Sequence, residues 1–328
     1  MMNNTLRNQC KIAPGTLITG KWNGNQYRMV KELGYGANGI VYLVEHMHRQ
    51  YALKLSDNGT SIISEMNILK SFSKVQGSAL GPSFLEADDY TAGGSTFPFY
   101  VMEYIKGESL VDFLRKKGEA WIGVLMLQLL GSLADLHSHG WVFGDLKPDN
   151  LIVTLPEYKI RCVDVGGTTL IGRSVKEYTE FFDRGYWGLG SRKADPQYDL
   201  FALAMIIVNS AYPARFSKNG EGYKQISDKI HAASTLDPYQ KLLENALRGA
   251  YQSAADMQTE LAGIISDKKT ARQTVSKAGT SAKSPQTRQS RHAQTHQKTT
   301  RKGSFAETFV VVAVISLLYV FYIYEQLL

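Results

Sequence analysis

The segment from Trp141 to Val153 contains the side chains of this sequence that are best suited to chemistry. Asp145, Lys147 and Asn150 lie on one short loop ahead of an apolar strand. Asp145 can orient a hydroxyl group and accept its proton, and Lys147 can neutralise a phosphoryl group in transfer. Asn150 can hold a divalent cation. A polar turn before a strand does not require this combination, so the spacing predicts a loop for phosphoryl transfer.

A second candidate group consists of charged residues in or beside strands. Asp164 follows a strand predicted over Lys159–Val163, and a carboxylate at a strand end can bind Mg²⁺. Lys54 lies in an otherwise apolar strand and can pair with nucleotide phosphates, with Glu65 as the candidate carboxylate partner. A lysine at a sheet edge that reaches solvent is the alternative interpretation of Lys54.

The glycines Gly34, Gly36 and Gly39 form a G-x-G-x-x-G-x-V pattern that ends at Val41. Glycines permit a tight hairpin whose backbone N–H groups approach phosphate oxygens closely. A dinucleotide fingerprint would need a helix directly after the glycines. A strand pattern follows instead, so the hairpin interpretation is favoured, although a glycine-rich hairpin without a ligand is equally consistent with the pattern alone.

The elements that must position these side chains change type along the chain. Strand-like alternation covers Tyr27–Leu33, Ile40–Val44 and Gln50–Leu55. A short helix is predicted with Ile62, Ile63, Met66 and Leu69 on one face, and a strand over Phe99–Tyr104. A long amphipathic helix is predicted with Trp121, Val124, Leu125, Leu129, Leu133 and Leu136 on one face. A strand-rich start and a helix-rich remainder predict an α+β protein with two lobes.

The chain has 328 residues and a net charge of +7, and two cysteines, Cys10 and Cys162, argue for a reducing compartment. The segment from Lys268 to Gly303 has no Asp or Glu and no Phe, Trp, Tyr, Ile or Leu. Such a composition predicts a disordered linker. Its ten basic residues are candidates for binding a polyanion: Lys268, Lys269, Arg272, Lys277, Lys283, Arg288, Arg291, Lys298, Arg301 and Lys302.

An uncharged run from Thr308 to Tyr324 follows this linker. Its 17 residues span ~26 Å as a helix, which is near the lower limit for crossing a bilayer. A buried strand or core helix is the alternative. The basic residues ahead of the run predict a cytoplasmic N-terminal side. We therefore expect a tail-anchored, single-pass membrane protein with its C-terminus outside the cell.

Taken in order, Gly34, Gly36 and Gly39, Lys54, Glu65, the loop from Asp145 to Asn150, and Asp164 before Gly166 resemble the Hanks-type, or eukaryotic-like, protein kinases. The resemblance covers about Tyr27 to Leu261. It implies a small β-rich lobe, a larger helical lobe, and the use of ATP with Mg²⁺ or Mn²⁺. The expected boundaries are an N-terminal extension over 1–26, a kinase domain over 27–265, a basic linker over 266–304, and a transmembrane helix with a short tail over 305–328.

The resemblance also assigns residues that spacing alone does not. Met102 would be the gatekeeper, and the Glu103 carbonyl and Ile105 N–H would bind adenine. The remaining residues assigned to nucleotide binding are Val41, Ala52 and Glu108, the last as a ribose contact. Asp199 matches the helix aspartate that braces the catalytic loop, the loop that carries Asp145, Lys147 and Asn150, and His137 matches the structural histidine ahead of that loop.

Three departures from the family pattern concern regulation and substrate docking. Phe143 and Gly144 replace the usual His-Arg pair, so activity should not depend on pairing with a phosphorylated activation loop. Val165 replaces the phenylalanine of Asp-Phe-Gly, and no Ala-Pro-Glu signature is recognisable near Phe181–Trp187. None of these departures removes a phosphate or metal ligand, which favours an active enzyme over a catalytically silent one.

The leading interpretation is a membrane-anchored kinase that phosphorylates Ser and Thr hydroxyls of proteins and of itself. The chain is similar to the tail-anchored, DNA-responsive membrane kinases of spore-forming bacteria. We therefore expect sequence-independent stimulation by DNA through the basic linker, with self-association for phosphorylation between copies. Anionic lipid or a passive spacer role are alternatives for the linker. A silent scaffold and a small-molecule phosphotransferase are alternatives for the whole protein.

Overall fold

The computed structural model describes residues 12–36, 39–72 and 80–278, with side chains up to Asp267. The alternating first part of the sequence forms one antiparallel sheet of six strands in the order β1-β2-β3-β4-β6-β5. These strands are β1 Leu17–Thr19, β2 Gln26–Gly36, β3 Gly39–His46, β4 Arg49–Leu55, β5 Phe84–Ala92 and β6 Ser95–Glu103.

The small lobe is held together by apolar residues from one face of this sheet, including Tyr27, Ile40, Leu53 and Phe99. The helix α1, Gly59–Phe72, lies against β5 and β6. Successive side chains of a strand point to opposite faces of the sheet, so one face can form the apolar core while the other contacts the helix.

The buried face of α1 differs from the predicted one. Ile62 and Leu69 are buried as expected, but Ile63 is 56% exposed. Glu65 is buried instead, together with Ile68 and Phe72. An apolar pattern alone does not place Glu65 on the buried face. Its carboxylate faces inward because it pairs with the buried ammonium group of Lys54.

The larger lobe is mainly helical, which confirms the predicted two-lobed architecture. Twelve of the 16 residues of its central helix α5 are buried, and α3 buries the predicted leucines of its inner face, although Val124 is 36% exposed. The helices of this lobe are α2 Leu110–Lys117, α3 Trp121–Ser138, α4 Arg184–Trp187, α5 Pro196–Ala211, α6 Gly222–Ala232, α7 Gln240–Leu247 and α8 Ala254–Ala278.

Five short strands of the larger lobe position the predicted catalytic residues. They form two ladders, in the orders β10-β9-β7 and β11-β8. The catalytic loop lies between β8 and β9, and Asp164 follows β10. The strands are β7 Gly107–Ser109, β8 Trp141–Val142, β9 Leu151–Thr154, β10 Ile160–Cys162 and β11 Thr169–Leu170.

The structure adds detail at both ends of the predicted kinase domain. Within the predicted N-terminal extension, 1–26, the strand β1 pairs with β2 and so belongs to the sheet. The linker was predicted to be disordered from residue 266, but α8 continues to Ala278. A segment with too few apolar residues for a core can still be helical, since Lys, Arg, Gln and Ala are good helix formers.

The predicted membrane span, Thr308–Tyr324, lies outside the described residues, as do most of the basic linker and the loop residues 37–38. Within the described part of the chain, α3 is the helix that is long and apolar enough to cross a bilayer. Its inner face belongs to the core of the larger lobe.

Candidate active site

A buried ion pair joins the strand β4 to the helix α1. Lys54 Nζ lies 2.6 Å from Glu65 Oε2, and both residues are buried, with exposures of 5% and 2%. Tyr100 Oη donates to the same carboxylate oxygen at 2.7 Å. Ser61 Oγ donates to the other oxygen at 3.2 Å. The structure therefore brings Lys54 and Glu65 together as the sequence predicts, and excludes a solvent-exposed role for this lysine.

The charge of Lys54 is maintained by its neighbours. Burial acts to lower the pKa of this lysine, but the carboxylates of Asp164 and Glu65 outweigh burial and raise it above its ordinary value. A lysine that stays cationic in a buried position can pair with an anionic phosphate.

The catalytic loop brings Asp145, Lys147 and Asn150 into contact. Lys147 Nζ lies 2.5 Å from Asp145 Oδ2. Asn150, at the end of the 3₁₀ turn Pro148–Asn150, donates from Nδ2 to the Asp145 carbonyl oxygen at 3.0 Å. Burial raises the pKa of Asp145, and the Lys147 ammonium opposes that shift. A carboxylate in this environment is a suitable proton acceptor.

Asp164 lies beside Asn150 because the Val163 N–H donates to the Asn150 carbonyl at 2.9 Å. Its Oδ1 accepts the Gly166 N–H at 2.9 Å. A methyl group built on Gly166 would lie 3.2 Å from Asp164 Oδ1 and 3.5 Å from Glu65 Oε1, so both carboxylates flank this glycine. The two halves of the predicted site therefore converge.

The donor set of Asn150 and Asp164 suits a hard divalent cation. The Asn150 amide nitrogen is engaged with Asp145, which leaves its carbonyl oxygen as the end that can bind a metal. Among the described residues no group of three or more His, Cys, Asp or Glu side chains forms a dedicated metal cage. Mg²⁺ is typically held by one or two protein oxygens together with substrate phosphates, so the two residues fit such an ion.

Thr179 is a site residue that the sequence reasoning missed. Its Oγ1 lies 3.3 Å from Asp145 Oδ1 and 3.3 Å from Lys147 Nζ. It lies two residues before Phe181–Trp187, the segment in which no family signature is recognisable. A threonine in a polar stretch gives no spacing signal, so nothing short of the fold places it beside Asp145.

Asp199 of α5 holds the start of the catalytic loop in place. It is fully buried and accepts the N–H groups of Phe143 at 2.8 Å and Gly144 at 2.9 Å. His137 Nε2 lies 2.9 Å from its Oδ2. Asp199 thus braces the loop, as the resemblance implies, and His137 contacts it there.

Gly144, which replaces the usual arginine, has a backbone that only glycine adopts easily. Its φ is +83°, and a Cβ atom there would lie 2.6 Å from the Gly167 carbonyl oxygen. Glycine in place of the arginine therefore allows the catalytic loop to approach the segment after Asp164 closely.

The segment without an Ala-Pro-Glu signature is anchored by another carboxylate. Asp183 is fully buried and accepts the N–H groups of Gly185 and Tyr186 at the start of α4. Arg192 Nη2 lies 2.6 Å from Asp183 Oδ2, and Tyr198 Oη donates to its Oδ1 at 3.0 Å. This network ties the segment to α5.

The residues assigned to nucleotide binding lie on β3, β4 and β6 and on the segment that connects β6 to α2. Ala52 and Met102 are paired across β4 and β6. The carboxylate of Glu103 pairs with Arg161, and that of Glu108 lies 3.1 Å from Lys116 Nζ. Ile105 is buried after the end of β6.

The glycine hairpin joins β2 to β3, with Val41 opposite Lys54 in the sheet. Gly34, Gly36 and Gly39 lie at the ends of the two strands. At Gly39 the φ is +134°, and a Cβ atom would lie 2.4 Å from the Leu55 carbonyl oxygen. The hairpin requires glycine at this position.

Comparison with known proteins agrees with this arrangement. Residues 27–282 match the protein kinase domain family. Serine/threonine-protein kinase YabT of Bacillus subtilis (strain 168) is 49% identical over 333 residues, covering 98% of each chain. Serine/threonine-protein kinase PknG of Mycobacterium leprae (strain TN) is 26% identical over 275 residues, covering 78% of this chain and 34% of that protein.

The matched family spans most of the chain, and family members use ATP with a divalent metal ion. The site described above has Lys54 to pair with the ATP phosphates, and Asn150 and Asp164 to bind the metal ion. The chain belongs to the protein kinase family.

Proposed function

We propose that this chain is a serine/threonine protein kinase that uses ATP with Mg²⁺ or Mn²⁺. The observation that carries the proposal is the convergence of the Lys54–Glu65 pair with Asp164 and Asp145 in one cleft. The likeness to YabT, which is named a serine/threonine-protein kinase, supports the choice of acceptor.

The geometry gives each residue a part in the transfer. Asp145 orients the acceptor hydroxyl and takes its proton as the oxygen bonds to the γ-phosphorus and the bond to the ADP oxygen breaks. Lys147, in contact with Asp145, neutralises charge on the moving group. Lys54, fixed by Glu65, pairs with the α- and β-phosphates. Asn150 and Asp164 would hold a divalent ion, which would neutralise phosphate charge.

Incubation of the purified chain with γ-labelled ATP, Mg²⁺ or Mn²⁺ and a generic basic protein tests this proposal. Acid hydrolysis of the product should give phosphoserine and phosphothreonine. Label only on a small molecule would indicate a small-molecule phosphotransferase. Nucleotide binding without any transfer to protein would indicate a silent scaffold, and either result would reject the proposal.

We also propose that the kinase is anchored in the cell membrane by Thr308–Tyr324 and stimulated by DNA. The support is compositional: an uncharged run of membrane length follows the segment Lys268–Gly303, which has ten basic residues and no acidic one. Polyanion binding by such a segment is independent of sequence and weakens with salt. Several copies of the kinase bound to one DNA molecule would have a raised effective concentration, which favours autophosphorylation between copies.

Titration of DNA into the detergent-solubilised full chain tests the proposed stimulation by DNA. The comparison variant has glutamine at all ten basic positions, which keeps the length of the segment. Stimulation of the wild type at low salt, absent in the variant, is expected. Equal responses of the two proteins, or no response in either, would remove the DNA proposal. Stimulation by anionic vesicles alone would assign the segment to lipid.

A further inference from the structure

A cavity of about 880 Å³ adjoins the catalytic loop on the larger lobe. It is enclosed by α2, by the turn Pro148–Asn150, and by the end of α5 with the residues that follow it. Its walls are largely apolar, formed by side chains such as Val111, Leu114, Ile206 and Pro213. Val111 is 49% exposed, so apolar surface of this wall is accessible to another molecule.

The cavity is close to the position of the reacting hydroxyl. Asp149 lines it, and Asp149 is four residues after Asp145 on the same loop. Four residues of chain span at most about 14 Å, a distance that about four residues of an extended peptide also cover. A polypeptide whose hydroxyl reaches Asp145 therefore has neighbouring side chains within reach of this cavity.

Both arginines that line the cavity, Arg115 and Arg215, are paired with acids. Arg215 Nη2 lies 2.8 Å from Asp149 Oδ2, and the Arg215 guanidinium lies 5.0 Å from the centre of the Phe182 ring. Arg115, at the rim, lies 2.5 Å from Asp112 Oδ1. The remaining acid, Glu119, is exposed, where solvent screens its charge. A basic side chain entering the cavity would meet Arg215, and the acid left to attract it would be the solvent-exposed Glu119.

We propose that this cavity receives an apolar side chain of the protein substrate, located within about four residues of the phosphorylated hydroxyl. Arg215 is the residue that determines this preference, because it neutralises Asp149 and so removes the attraction for a basic side chain. The inference rests on the proposed protein kinase activity and adds a substrate class to it.

A positional peptide scan tests the inference. Peptides with one serine acceptor carry Leu, Ala or Arg at each position up to four residues on either side. At the position that reaches the cavity, kcat/KM for Leu should exceed that for Arg by about tenfold, the scale on which apolar pockets discriminate. Arg215→Gln should raise the rate with Arg there by about fivefold, the scale of one exposed charge pair.

Two further variants make the test specific. Arg248→Gln is the matched control, since Arg248 also forms an exposed ion pair in this lobe, with Glu244 at 3.6 Å, but does not line the cavity. It should leave the scan unchanged. Adding Asp149→Asn to Arg215→Gln should abolish the gain with Arg, because the gain depends on the uncovered carboxylate.

A flat scan from an enzyme that phosphorylates the peptides would overturn the inference and leave the kinase activity standing. A preference for Arg in the wild type would also overturn it. Failure to phosphorylate any peptide or protein would instead reject the proposed function, and the inference with it.

Discussion

Tyr100 binds the carboxylate oxygen of Glu65 that Lys54 also contacts. Burial raises the pKa of this tyrosine well above its ordinary value, so its hydroxyl is protonated at neutral pH and can donate. The strand register places Tyr100 directly opposite Lys54. We infer that Tyr100 positions the ion pair.

Replacing Tyr100 by Phe should therefore raise KM for ATP and lower kcat/KM by about fivefold, as expected for losing about 1 kcal/mol of one hydrogen bond. The matched control is Tyr27→Phe, which removes a buried hydroxyl that donates to Glu86 at 2.7 Å elsewhere in the same lobe. Steady-state kinetics of both variants check this. Identical kinetic constants in the two variants would show that the hydroxyl of Tyr100 contributes only stability.

The raised pKa of Asp145 leads to a prediction about pH. Burial is the main cause of the increase, the nearby Asp164 adds to it, and Lys147 opposes it. Because the ionised form accepts the proton, activity should fall as the pH decreases through the raised pKa. The acid limb of kcat/KM, which reports the free enzyme, should lie above the ordinary aspartate value of about 3.9. A profile that stays flat down to that value would contradict the assignment.

At the scale of elements, α5 supports the catalytic loop through one buried carboxylate. Asp199→Ala would leave the N–H groups of Phe143 and Gly144 without their acceptor. Two unsatisfied buried donors cost about 3 kcal/mol. The variant should unfold at lower denaturant concentration and lose transfer activity.

Asp228→Ala serves as the control for this prediction, because Asp228 forms an exposed pair with Lys224 at 3.0 Å. Loss of such a pair should change the unfolding free energy by less than about 1 kcal/mol. Chemical denaturation of both variants, followed by fluorescence, compares them. Equal stability of the two variants would mean that the loop does not depend on α5.

The sequence predicted the elements whose residues repeat with a clear period and missed what depends on long-range contacts. The hairpin around Gly36, the buried leucines of α3 and the Lys54–Glu65 pair could be read from spacing. The inward face of α1 could not, because a buried carboxylate interrupts its apolar pattern. Thr179 reaches Asp145 only through the path of the segment that precedes α4, and no local pattern encodes that path.

At the scale of the molecule, the kinase domain should function without the proposed anchor. A chain that ends at residue 304 keeps all the described residues, so its transfer rate in detergent should stay within about twofold of the full chain, as expected when no catalytic group is lost. Cell fractionation after a high-salt wash should place the full chain with membranes and the truncated chain in the soluble fraction. A truncated chain that remains with membranes would contradict anchoring by Thr308–Tyr324.

The whole account depends on one carboxylate that accepts a proton beside a bound nucleotide. The most direct measurement is the rate of phosphate transfer from γ-labelled ATP to protein by purified Asp145→Ala, at saturating ATP, with nucleotide binding measured in parallel. We expect binding to persist and transfer to fall by at least about a hundredfold, the scale for losing one positioned catalytic group. Transfer at a near-normal rate would contradict the account.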